Sequence, residues 1–170
     1  MLEVSSGTGE HAAYFARSLP HLDWQPTDLE DTSLASIAAW REEAGVENLR
    51  PPLRLDATAP EWPVDAADAL ICINMIHIAP WAACQGLMAG AARILPAGGP
   101  LILYGPFQEK GSHSAESNRR FDIDLRLRNP EWGVRHLEHV VESAAAWGFL
   151  HVETVIMPAN NRSVVFRKTE

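Results

Sequence analysis

The opening stretch, Met1-Leu2-Glu3-Val4-Ser5-Ser6-Gly7-Thr8-Gly9-Glu10-His11-Ala12, constrains the fold more tightly than any other part of the chain. A short apolar run stops at two closely spaced glycines, and apolar residues then return at helical spacing as Ala12, Phe15 and Ala16. That pattern reads as the end of a buried strand, a glycine turn and a helix over 11–17, stopped by Leu19-Pro20. Glycine accepts positive φ and lets another group lie close to the backbone. In open α/β sheets ligands bind at such a turn, outside the carboxyl ends of the strands.

The rest of the chain repeats the alternation. A short strand is expected at 22–25, closed by Pro26-Thr27-Asp28, and Leu34, Ile37, Ala38 and Ala44 mark an amphipathic helix ending at Gly45. Further strands are expected at 53–55, 67–73 and 100–104, with a helix over 81–95 before the last of them. The apolar run 67–73 reads as a central parallel strand covered on both faces. The segment 105–132 is too long for an ordinary connection and reads as an insertion over the binding edge, with a helix at 116–128 that Asn129-Pro130 ends. A following helix has Val134, Leu137, Val141, Ala144 and Ala145 on one face and Gly148 past its end. Two last strands, 149–157 and 163–168, are joined by a link so short that it can only reverse the chain. The expectation is one α/β domain over 1–170, a doubly wound, mostly parallel seven-stranded sheet finished by a C-terminal antiparallel hairpin.

Composition narrows the partners. At 170 residues and 46% hydrophobic the chain has material for a real core. A formal net charge of -8 argues against nucleic acid or an anionic membrane, both of which would repel it. The apolar run 66–83 is interrupted by Asp68, Asn74 and His77 and is no membrane span. No secretory signal precedes the glycine turn, and Cys72 and Cys84 form no CxxC pair, as expected of reduced thiols in a cytoplasmic protein. No cluster has zinc spacing, so no metal is expected.

Two cofactors compete for the turn. Gly7 to Ala12 fits G-x-G-x-x-A, the dinucleotide pattern, with Asp28 placed to bind a ribose. The alternative is the first motif of class I S-adenosylmethionine-dependent methyltransferases, which Glu3, Gly7 and Gly9 match while Ser5 stands where a glycine is usual. Glu3 in the strand, Asp56 at the end of the third strand and the terminal hairpin favour the methyl donor. That donor carries no pyrophosphate, so the helix start need not cradle a dianion. Its two ribose hydroxyls call for one carboxylate, and Asp28 is that group, unless it only caps the following helix. The expected donor-binding set is Glu3, Ser5, Gly7, Gly9, His11, Asp28, Asp56, Ala57, Asn74 and Met75.

The stretches LEVSSGTGEHAAYFARSLPHLDWQPTD, INMIHIAPW, LYGPFQEKGSHSAESNRRFDIDLRLRNPEWGVR and MPANN resemble the methyltransferase-like twenty-six family, long catalogued as a domain of unknown function among class I methyltransferases. The resemblance covers essentially the whole chain. It implies the S-adenosylmethionine-dependent fold and a methyltransferase assignment, without a settled substrate. It also implies one or two helices ahead of the first motif, so the domain is expected to be shortened at its N-terminus.

All parallel strands end on one face, so the acceptor pocket is expected between His77, the Tyr104-Gly105-Pro106-Phe107 turn, Phe121 of the insertion and the Asn160-Asn161 pair. His77 is the candidate base or acceptor-orienting residue, against a helix-entry histidine packed on Trp81. Phe107 and Phe121 line the pocket or pin the insertion, and the asparagines line it or only reverse the chain. Arg119, Arg120, Arg126, Arg128 and Arg135 either hold an anionic acceptor or pair with the interleaved acids. Three functions stay open: a methyltransferase for a small molecule, a binding protein of the same fold without turnover, and a nicotinamide-dependent oxidoreductase.

Overall fold

The computed structural model describes all residues, Met1–Glu170. Seven strands form one sheet: β1 (Leu2–Val4), β2 (Gln25–Asp28), β3 (Leu53–Arg54), β4 (Leu70–Ile73), β5 (Pro100–Gly105), β8 (Phe149–Ile156) and β9 (Arg162–Lys168). Their order is β3-β2-β1-β4-β5-β9-β8. The first five run parallel, and β9 enters antiparallel between β5 and β8. The chain reverses direction across the sheet between β1 and β4, the topological switch at which open α/β sheets bind ligands. This is the class I methyltransferase fold, as the alternation and the hairpin implied.

Helices α1 (Glu10–Ser18) and α2 (Asp31–Ala44) lie on one face, and α3 (Trp81–Ile94) and α5 (Leu137–Ala146) on the other. Alternate residues of the strands separate the two sides. Leu2, Val4, Leu70, Cys72, Leu101, Leu103, Val164 and Phe166 are all at most 2% exposed and join the main core with α3 and α5. Ala12, Ala13, Ala16, Trp24 and Leu49 form a smaller core with Ile71 against it. No helix is long and apolar enough to cross a membrane.

Four sequence expectations need correction. The second strand is Gln25–Asp28, so Pro26 lies inside it. The neighbouring chain runs there through Pro51-Pro52, between the Trp24–Leu49 bridge and β3, so the ladder on that side is interrupted where Pro26 has no N–H to give. Strand β4 is buried on one face only, since Ile71 and Ile73 are half-buried. Val134 precedes α5 rather than sitting on it, Ala145 is exposed, and Val140 and Ala144 are the fully buried residues of that helix. The insertion holds more than a helix. Before α4 (Glu116–Arg128) it forms a small antiparallel hairpin, β6 (Gln108–Glu109) with β7 (Ser112–His113), reversed at Lys110 and Gly111, both at positive φ.

Candidate functional site

Strand β1 ends in a turn that no ordinary backbone could make. Ser5, Gly7 and Gly9 have φ of 62°, 59° and 90°. Ser5 therefore occupies a left-handed position of the kind that glycine fills without strain. The turn is fastened to the end of β2: Ser6 N–H donates to Thr27 O at 2.8 Å, and Gly7 N–H donates to Asp28 Oδ2 at 2.9 Å. Gly9 has a separate reason to lack a side chain, because a Cβ there would lie 2.7 Å from the Ile37 Cα of α2. Glu3 lies beneath the turn, 1% exposed, accepting from Trp24 Nε1 at 2.8 Å. Burial raises its pKa above the ordinary carboxylate value, and the Trp24 bond offsets part of that.

At the carboxyl ends of β1 to β4 the chain leaves a cleft of about 190 Å³. Ser5, Asp28, Asp56, Ala57 and Met75 of the expected donor set line it, with a floor of Val4, Leu55 and other apolar residues. Asp28 is 5% exposed, and its other oxygen accepts from Glu30 N–H at 3.1 Å. Glu30 flanks the start of α2, so Asp28 shapes that entry as well. A carboxylate has about four acceptor sites, so two remain. Asp56 spends one oxygen on the Thr58 N–H and hydroxyl, at 2.8 and 2.7 Å. The remaining expected residues stand around the cleft rather than in its wall. His11 is exposed on α1, stacked on Phe15, and Asn74 sits at φ 60° beyond the end of β4.

Across β4 and β5 the expected acceptor residues separate. His77 is fully buried; its Nδ1 accepts from Arg135 N–H at 3.2 Å, and its carbonyl accepts from Gly133 N–H at 2.9 Å. Accepting at Nδ1 places the ring proton on Nε2, and burial with the Arg135 charge pushes the imidazole down to about 3. This neutral donor is not the base expected at 77. Its Nε2 and Asn74 Oδ1 crowd Gly105, where a Cβ would meet them at 2.7 and 2.8 Å. Phe107 is a second correction: it is 0% exposed, inside the main core, with its ring 4.9 Å from that of His77. Gly105 and Pro106 are buried beside it, whereas Phe121 is half-buried on α4.

Tyr104 and the hairpin loop do come together, Asn161 Nδ2 donating to the Tyr104 hydroxyl at 3.1 Å. The Asn160 carbonyl accepts from Asn118 Nδ2 at 3.0 Å and, more weakly, from Ser114 Oγ at 3.4 Å, which ties the insertion to the loop. Four of the five arginines have partners within the chain, while Arg128 is exposed at the end of α4. Arg119 and Arg120 pair with Glu116, Arg126 with Asp122, and Arg135 donates to the carbonyls of Ile76, Ala79 and Glu131.

One constellation was not foreseen. His113 Nε2 lies 3.4 Å from Asp122 Oδ2, and Asp122 Oδ1 accepts from Val134 N–H at 2.7 Å and Arg126 Nε at 3.1 Å. His77 Nε2, His113 Nδ1 and Trp132 Nε1 are buried without a hydrogen-bond partner. The signal that joins these residues is tertiary: a two-residue turn brings β7 onto β6, and nearly two turns of α4 bring Asp122 back to it.

Solved structures share this architecture. An O-methyltransferase family 2 protein from Planctomyces limnophilus, in complex with apigenin, superposes with a TM-score of 0.83 at 20% identity, over 99% of this chain and 50% of its own. Human N-acetylserotonin methyltransferase in complex with S-adenosylmethionine gives 0.83 at 15% identity, over 100% and 47%. The YcgJ protein of Bacillus subtilis gives 0.74 at 16% identity, over 99% and 91%. The chain thus spans about half the length of the two larger methyltransferases. At such identities the likeness establishes the fold, while the sequence itself matches one family along residues 1–168, and the chain belongs to that family, described as Protein of unknown function (DUF938).

Proposed function

We propose that the protein is an S-adenosylmethionine-dependent methyltransferase, as its resemblance to the methyltransferase-like twenty-six family implies, and that it acts on a small molecule in the cytoplasm. The observation that carries this reading is Asp28, a nearly buried carboxylate at the end of β2 with two acceptor sites to spare, lining one cleft with Asp56. The donor's two ribose hydroxyls match those sites, and Asp56-Ala57 stands across the cleft for the adenine. The residues therefore fit the donor. At about 190 Å³ the enclosed part is smaller than the roughly 300 Å³ at which small-molecule pockets begin. We assign it to the nucleoside end, with the amino-acid end along the open glycine turn. When bound, the donor supplies an electrophilic methyl group on a sulfonium sulfur. The chain's own task is to align the acceptor with it and to remove a proton where the acceptor holds one. In this reading the insertion 105–132 roofs the acceptor, and what supports it is that Asn118 fastens the insertion to the hairpin loop.

Titration calorimetry with S-adenosylmethionine, its demethylated product and NAD tests the reading. We expect both sulfur compounds to bind and NAD not to bind. Asp28→Asn should weaken the donor by about 1.5–3 kcal/mol, the usual loss for hydrogen bonds to a charged group. A parallel melt separates that loss from any loosening of the Gly7 turn. Binding of NAD alone would overturn the assignment.

A further inference from the structure

We infer that the donor cleft selects its ligand by charge and that Glu30 sets the selection, so that a cationic sulfonium nucleoside is held more tightly than the neutral thioether left after methyl transfer. This deepens the methyltransferase reading above and rests on it.

Charge is divided unequally along the chain. Residues 1–70 carry 13 of the 22 acidic residues but only four of the 14 lysines and arginines, whereas residues 71–170 are almost balanced. The acidic part comprises β1, β2, β3, α1 and α2, and so makes up one end of the sheet as far as the switch point. The cleft lies at that boundary. Asp28, Glu30 and Asp56 line it together with apolar residues, and no lysine, arginine or histidine does.

The three carboxylates are not equally free. Asp28 accepts from Gly7 N–H and Glu30 N–H, and Asp56 holds the Thr58 N–H and hydroxyl. Glu30 is engaged through its backbone alone: its N–H donates to Asp28 Oδ1, and its carbonyl accepts from Leu34 N–H at 3.0 Å. Arg54 reaches the same corner, but its guanidinium donates to the Leu29 carbonyl and pairs with Asp31. The Glu30 carboxylate is therefore left without a cation on the cleft wall.

A cleft that combines low-dielectric walls with one sign of charge concentrates the opposite sign. The methyl donor carries a sulfonium and an ammonium against one carboxylate, and is a cation overall. Its demethylated product keeps only the ammonium and the carboxylate, and is neutral overall. In the transfer an acceptor electron pair takes the methyl carbon, and the C–S bond breaks with its electrons going to sulfur. The sulfonium charge disappears in that step, so the carboxylates lose what they attract just before the product must leave. At roughly a Debye length, one carboxylate favours a cation by a factor of about 2 in water and about 30 at an effective dielectric constant of 20. The wall of a half-open cleft falls between those limits.

Calorimetry with S-adenosylmethionine and its demethylated product tests the selection without turnover. We expect the parent protein to bind the donor about tenfold more tightly than the product, and added salt to weaken the donor alone. Glu30→Gln keeps the length of the side chain and removes its charge. It should weaken the donor by about threefold to tenfold and the product by less than about twofold. Glu42→Gln, an exposed acid about three turns further along α2, should leave both affinities at parent values. An acid beside a helix start also suits the helix dipole, but that role alone predicts a lower melting temperature with both affinities kept. That result would overturn the proposal. So would a product bound as tightly as the donor, a donor affinity indifferent to salt, or equal losses of both ligands in Glu30→Gln. Failure of donor and product alike to bind the parent protein would remove the methyltransferase reading instead.

Discussion

Ser5 shows what a single side chain costs at a turn. Left-handed backbone disfavours an L-residue by about 1–2 kcal/mol, while glycine gives back roughly 0.5–1 kcal/mol through the freer unfolded chain. Ser5→Gly should therefore stabilise the protein by about 0.5–1 kcal/mol, a rise in Tm of a few degrees for a domain of this size. A lower melting temperature would show that the hydroxyl makes a bond worth more than the strain. His77 makes the second residue-scale prediction, through pH. Its pKa is near 3 when folded and about 6.5 when free, so below pH 6.5 the unfolded chain binds the additional proton. Stability contributed by this residue is complete above about 6.5 and falls by about 1.4 kcal/mol per pH unit towards 3. In His77→Gln, whose carbonyl can still accept from Arg135 N–H, urea melts between pH 6.5 and 4 should show a slope shallower by about that amount. The sequence pointed to 77 as a histidine at the binding edge, but its protonation depends first on burial and then on Arg135, which no local pattern places beside it.

At the scale of elements, much was legible because periodicity and punctuation agree. The helix at 116–128 matches α4 residue for residue, since acids and arginines at helical spacing end at Asn129-Pro130. The strand at 22–25 was displaced because Pro26 reads as a stop, and only the neighbouring Pro51-Pro52 shows why it is tolerated. The β6–β7 hairpin escaped notice because each of its strands has two residues, too few to display alternation. The His113–Asp122 pair escaped with it. Of the donor set, Ser5, Asp28, Asp56, Ala57 and Met75 meet because strand ends are fixed by topology; Phe107 misses the pocket because alternation past the end of β5 turns it inward. The attachment of the insertion depends on Asn118, 6% exposed, whose amide reaches both Ser114 Oγ and the Asn160 carbonyl. Asn118→Ala should lower overall stability by only about 1–2 kcal/mol, the usual value of such bonds. Its larger effect should be local, with amide hydrogen exchange accelerated at 112–119 and 158–161 and unchanged in β4 and β5. Uniform acceleration would mean that the insertion unfolds with the whole sheet.

Over the whole molecule the sheet is covered unequally, and this bears on what surrounds it in solution. Parallel sheets are normally buried on both faces. Here α3 and α5 bury one face over β1, β4, β5 and the middle of β9, whereas Ile73, Ile102, Tyr104 and Val165 on the opposite face are half-buried and belong to neither core. Register aligns them, Ile73 with Tyr104 and Ile102 with Val165, so they form one continuous surface. Two neighbours on β5 turn this into a measurement. Leu103 is 1% exposed within the main core, and Leu103→Ala should cost about 2–5 kcal/mol, the range for a fully enclosed aliphatic side chain. Ile102 has solvent over part of its side chain, loses less burial and opens no closed cavity, so Ile102→Ala should cost well under half as much. Urea midpoints at constant slope give both values from one pair of variants. Equal losses would mean that the Ile102 face is covered in solution by something outside this single chain. Light scattering of the parent protein at the same concentration would then show whether the cover is a second copy.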